Sequence, residues 1–170
     1  MKIMKKFLLL FFLGGLLFPP VFANDAAFTV QAAVNMPEFT LPDAASGQQV
    51  KSDVFVGKAM LVTFFATWCP TCLQEIPKLV RMQSEFAARG FSVVGLSVDQ
   101  GGVQPVQRLM RQAGINFPVL MADLPTTESF GGVYMIPVSF LVNKSGQVVK
   151  KYPGPAPESV LVKDIGGVLP

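Results

Sequence analysis

Residues 59–77, Ala-Met-Leu-Val-Thr-Phe-Phe-Ala-Thr-Trp-Cys-Pro-Thr-Cys-Leu-Gln-Glu-Ile-Pro, constrain this chain most, because they hold its only tryptophan and both of its cysteines. Residues 60–66 form a short apolar run rich in β-formers, the pattern of a strand buried on both faces. After Pro70 the spacing turns helical, so Cys69 is expected at the mouth of a helix. There the unpaired backbone N–H groups and the positive end of the helix dipole stabilise a thiolate, the nucleophilic form of cysteine. Cys72 then falls on the same helical face. From that place it can attack a mixed disulfide on Cys69, release the partner as a thiol and close a Cys69–Cys72 bridge. Half of a zinc site and a permanent structural disulfide are the alternatives. Zinc needs further ligands, and the chain has two cysteines in all and no histidine. A bridge across two residues closes too small a loop to add much chain entropy.

The N-terminus reads as a secretory signal peptide over residues 1–23: Met-Lys-Ile-Met-Lys-Lys, an apolar run over 7–18, Pro19-Pro20, then Val21-Phe22-Ala23 ahead of a cut. The run is short for a membrane span of about 20 residues, so an uncleaved anchor is the lesser reading. No cysteine follows this leader, which excludes a lipid-anchored cysteine there. The formal charge of +3 comes from Lys2, Lys5 and Lys6, and the eleven basic residues that remain equal the eleven acidic ones. A neutral mature chain has no electrostatic case for nucleic acid. At about 147 residues it is one domain's worth, expected as a monomer. Export places the cysteines where a CxxC either cycles or needs a dedicated electron source.

Residues 24–34 read as a flexible lead-in and 35–170 as the domain. An N-terminal β-hairpin is expected, with prolines at 37 and 42, a turn at Ser46-Gly47 and a second strand over 48–51. One helical turn over 53–56 follows, with Ser52 as its cap. The helix from Pro70 is expected to run to Arg89, with Pro77 inside it and Gly90 ending it. A strand over 91–98, an amphipathic helix over 103–113, a short strand over 117–121 and a helical turn over 126–130 come next. A hairpin over 138–152, turning at residues 143–146, and a closing helix over 158–165 complete the chain. The alternation implies an α/β fold, a mixed central sheet with helices on both faces.

Trp68-Cys69-Pro70-Thr71-Cys72 with Pro77, and Met135-Ile136-Pro137 ahead of an apolar strand, resemble the thioredoxin superfamily, and within it the exported TlpA/ResA-like thiol-disulfide oxidoreductases, including those of cytochrome c maturation. The resemblance covers about residues 35–165 and implies a thioredoxin-like fold with a central strand-helix insert over 91–121. It implies an enzyme without cofactor or metal, in which Cys69 is the exposed attacking thiol and Cys72 the buried resolving one. Glu75 stands where such proteins carry an acidic residue that raises cysteine pKa and passes protons. Trp68 shields the site or is an ordinary core aromatic, and Pro70 and Thr71 lie between the cysteines. Pro137 matches a cis-proline whose neighbour, Ile136, offers its backbone to a bound peptide. Thr63 departs from thioredoxins, which carry a buried aspartate at that strand position.

The resemblance further implies protein disulfides as substrates, apocytochrome c among them, and a membrane electron donor of the DsbD or CcdA kind. A thiol peroxidase of peroxiredoxin type is one alternative, although Ala66-Thr67-Trp68-Cys69 lacks the expected proline. A copper(I) carrier using both thiolates is another, and it lacks the histidine its relatives use.

Overall fold

The computed structural model describes residues 34–169. The expected signal peptide and the expected lead-in, up to residue 33, lie outside the described residues. Among the described residues there are eight strands, β1 Val34–Asn35, β2 Thr40–Pro42, β3 Gln49–Lys51, β4 Ala59–Phe65, β5 Phe91–Ser97, β6 Val119–Met121, β7 Val138–Val142 and β8 Gln147–Pro153, with helices α1 Pro70–Phe86, α2 Val103–Gln112, α3 Leu124–Ser129 and α4 Glu158–Val168. Six strands form one sheet in the order β1-β8-β7-β4-β5-β6, and β2 and β3 pair as a separate hairpin. The β4–β5 and β5–β6 pairs are parallel, whereas β7 runs antiparallel to β4 and β8 to β7. β1 pairs with β8 and spans the point where the sequence places the start of the domain.

Every residue of β4, β5 and β7 is buried, which is why these segments read as apolar runs without alternation. Their side chains divide between two cores. Leu61, Phe65, Val93 and Leu141 meet Leu79, Met82 and Phe86 of α1, Val106 of α2, and Leu161 and Ile165 of α4. Met60, Val62, Phe64 and Val94 point the other way, onto Phe39 and Leu41 of the hairpin, Phe55, and Phe130 just after α3. Fully burying such a side chain contributes about 1.5–3 kcal/mol, so the two layers fix the central strand from both sides.

Several boundaries differ from the sequence expectation. Ser52 is not a helix cap: residues 52–55 form a 3-10 turn without a side-chain cap, and Ser52 Oγ instead accepts the Phe39 N–H at 3.2 Å, tying the turn to the hairpin. The α-helix from Pro70 ends at Phe86, and Ala87–Arg89 tighten into a 3-10 turn before Gly90, whose φ of 82° only glycine adopts readily. α3 starts two residues earlier than expected because Asp123 Oδ1 accepts the Thr126 N–H at 2.9 Å, a side-chain cap. α4 continues through Gly166-Gly167 to Val168. Among the described residues no helix is long and apolar enough to cross a membrane.

Candidate active site

The site lies at the carboxyl end of β4, where the chain turns into α1. Cys69 is the residue just before the helix, in extended conformation, and its Sγ accepts the Cys72 N–H at 3.2 Å. Pro70 occupies the first helical position, where a missing N–H costs nothing. The cysteines are joined as a disulfide, with an S–S distance of 2.19 Å. Thr71 Oγ1 lies 3.4 Å from Cys69 Sγ. The carbonyl oxygen of Ile136 lies 3.9 Å from that same sulfur, and the Ile136–Pro137 peptide is cis. Two segments distant in sequence, residues 68–72 and 136–137, therefore meet at one sulfur.

Cys69 is 5% exposed and Cys72 2%, so the expected exposed thiol is corrected: with the bridge closed, Cys72, Thr71 and the Ile136 carbonyl all crowd Cys69. Trp68 is 67% exposed and is thus no core aromatic. It stands at the surface with Tyr134 and Met135, which precede Ile136 and are also exposed. A cleft of about 150 Å³ opens beside Pro137, lined by Gly132, Tyr134, Met135, Lys151 and Pro153. Gly132, at φ +79°, leaves room for the Tyr134 ring, which a side chain there would strike at 2.5 Å. A wider groove of about 640 Å³, between residues 35–40, 51–53 and the turn at Ser145-Gly146, shares no residue with the cysteine site.

Glu75 is 6% exposed and follows Cys72 by about one turn of α1. Its Oε1 accepts the Ala156 N–H at 3.1 Å and the Lys78 ammonium at 3.0 Å. Glu75, Cys72, Thr63 and Pro137 line a small cavity of about 10 Å³, close to the room one water occupies. Thr63 Oγ1 is the acceptor for Ser139 Oγ at 2.9 Å.

Two groups at the site escaped the sequence reading. Lys78 follows Glu75 by one helical turn, and that i, i+3 spacing was the available signal. Asp99, just beyond β5, accepts the Thr67 N–H at 2.9 Å, the Thr67 hydroxyl at 2.5 Å and the Ser97 hydroxyl at 2.8 Å. It pins the loop that carries Trp68 and Cys69, a contact across 32 residues that no local pattern reveals.

The sequence model of the Redoxin family matches residues 31–169. The thiol-disulfide oxidoreductase ResA of Bacillus subtilis is 29% identical over 150 residues, covering 88% of this chain and 81% of its own. ResA of Geobacillus thermodenitrificans is 24% identical over 170 residues, covering 100% of this chain and 95% of its own. The crystal structure of a thiol:disulfide interchange protein, a thioredoxin family protein from Chlorobium tepidum TLS, superposes with a TM-score of 0.74 at 34% identity, covering 81% of this chain and 97% of that one. A sheet of this order, a redox pair at its helix mouth and a match running through both leave one assignment: the chain belongs to the Redoxin family, as a protein thiol-disulfide oxidoreductase of the TlpA/ResA-like kind.

Proposed function

We propose that the protein works outside the cytoplasm as a reductant of protein disulfides, with the haem-attachment cysteines of apocytochrome c as a candidate substrate. The observation that carries this reading is the meeting of the Cys69–Cys72 bridge with the Ile136 carbonyl and cis-Pro137. Ile136 precedes β7, so its backbone lies outside the β7 ladder beside the reactive sulfur. An extended substrate can pair with it as an added strand, and the cleft next to Pro137 takes one of that substrate's side chains.

In the reduced form Cys69 attacks. Its thiolate is favoured by the Cys72 N–H and the helix dipole, both aimed at Sγ. It displaces one sulfur of the substrate disulfide and forms a mixed disulfide. Cys72 then attacks Cys69, the second substrate sulfur leaves, and the bridge closes. Glu75, the carboxylate lining the cavity beside Cys72, serves as acceptor for the Cys72 proton. Trp68, Pro70 and Thr71 form the surface around Cys69 that meets the substrate. Export by residues 1–23 and a membrane donor of the DsbD or CcdA kind complete the reading, since a reductant in an oxidising compartment must be recharged.

The deciding measurement is the reduction potential of the Cys69/Cys72 couple in a glutathione buffer, followed by Trp68 fluorescence. A value of about −270 mV or lower supports a reductant, whereas one near about −120 mV marks an oxidant and overturns the proposal.

A further inference from the structure

Glu75 and Lys78 both turn inward from α1, with side-chain exposures of 7% and 14%. Lysine and glutamate are almost never covered to this degree unless paired, and here Nζ and Oε1 lie 3.0 Å apart. Ala156, in the loop between β8 and α4, closes the arrangement: its N–H donates to the same Oε1 at 3.1 Å, and its carbonyl accepts from Lys78 Nζ. One carboxylate oxygen is thus held from two directions, and Oε2 takes no part in these bonds.

The charges around Glu75 can be assigned element by element. α1 supplies Lys78, and β4 supplies Thr63. The segments before β6 and β7 supply Ile115, Phe117 and Pro137, none of them charged. Glu158, at the start of α4, also feels the Lys78 charge and is itself held by Arg81 at 2.6 Å. Lys78 is therefore the cation in contact with Glu75 among the described residues.

We propose that Lys78 is a positioning residue of the thiol chemistry: it compensates the Glu75 charge and fixes the carboxylate so that it faces Cys72 across the small cavity as a proton acceptor. This rests on the reading of Glu75 given above. In the mixed disulfide, the Cys72 thiol gives its proton to Glu75 and its sulfur bonds to Cys69 Sγ. The Cys69–substrate S–S bond breaks, and the substrate sulfur leaves with the bonding pair and is protonated by water. The two cysteines end oxidised and the substrate disulfide ends as two thiols. A carboxylate buried without a cation takes up a proton instead of remaining charged, and then has no capacity to receive one.

The test is the single-turnover oxidation of the reduced protein by oxidised glutathione between pH 5 and 9. Glu75→Gln and Lys78→Met are each expected to slow it roughly tenfold or more at pH 7, with the deficit closing toward pH 9 as thiol ionisation no longer needs a base. Lys78→Arg restores the rate, and the double variant Glu75→Gln/Lys78→Met is no slower than Glu75→Gln alone. A purely structural lysine changes stability but leaves the pH profile in place. The inference is overturned if Lys78→Met keeps the wild-type profile while Glu75→Gln loses it. It is equally overturned if the double variant loses the full factor of both changes. If Glu75→Gln itself keeps the wild-type profile, the Glu75 reading fails and this inference falls with it. Should Lys78→Met not fold, the double variant, which buries no unpaired carboxylate, carries the comparison with Glu75→Gln.

Discussion

Ser139 Oγ donates to Thr63 Oγ1 at 2.9 Å, between residues that face each other across β4 and β7. Both are buried, at 6% and 2% exposure, so each hydroxyl depends on the other. Thr63 also lines the cavity beside Cys72, at the strand position where thioredoxins carry an aspartate. A hydroxyl pair bears no charge there, which leaves Glu75 as the carboxylate of that cavity.

This pairing predicts a particular asymmetry. Thr63→Val keeps the shape but strands the Ser139 hydroxyl, and is expected to cost about 1–3 kcal/mol in urea unfolding. Thr63→Val with Ser139→Ala removes both partners and should recover most of that loss. Equal losses in the single and double variants would show that the bond contributes nothing of its own.

The roles of the two cysteines separate in a trapping experiment. Cys72→Ser leaves Cys69 able to attack but unable to be released, so mixed disulfides with substrate proteins should accumulate on non-reducing gels. Cys69→Ser should trap far fewer, because the helix N-terminus and the Cys72 N–H favour a thiolate on Cys69, whereas Cys72 lies within the first turn of α1. The reverse pattern would exchange the assigned roles.

Local chemistry made much of this legible in advance. The buried runs of β4, β5 and β7, the helix mouth at Pro70 and the glycine stop at residue 90 are each dictated within a few residues. Glu75 and the Met135-Ile136-Pro137 segment came from a resemblance, since neither spacing nor composition joins residue 136 to residue 69. What stayed hidden is non-local: Asp99 reaching Thr67, Ala156 closing over Glu75, Ser139 meeting Thr63. Trp68 shows the other limit. Its aromatic bulk suits a core and a surface equally, and only the fold decided that it stands outside.

Asp99 gives a prediction for the loop carrying the reactive cysteine. Three donors converge on its carboxylate, two of them from Thr67. Asp99→Ala should cost about 1.5–3 kcal/mol, the range for a hydrogen bond to a charged group. Freed from its anchor, the loop should also let the neighbouring Trp68 move, seen as lower fluorescence anisotropy in the folded protein. Unchanged anisotropy together with unchanged stability would mean that the loop is held by its strand and helix alone.

The cap of α3 ties stability to pH. Asp123 Oδ1 accepts the Thr126 N–H at 2.9 Å, and bonds from Thr126, its hydroxyl first and its N–H second, hold the Asp123 carboxyl below its ordinary pKa. A carboxylate with a depressed folded pKa contributes stability above its unfolded pKa of about 3.9, and that contribution fades as pH falls through the folded value. The helix it starts leads to Phe130, whose ring packs edge-on against Phe64 and Phe140 at 5.1 Å each, and from there to the segment ending in Pro137. Asp123→Ala should therefore cost about 1 kcal/mol at pH 7, the usual worth of such a cap. Because Asp123 is exposed, salt should trim the charge-dependent part of this. The deficit against wild type should be flat from pH 7 to 5 and shrink below about pH 4, where wild type itself loses the charged cap. Guanidinium midpoints at pH 7, 5 and 3 measure it. A deficit that stays the same at pH 3 would mean that Asp123 acts there by shape and not by charge.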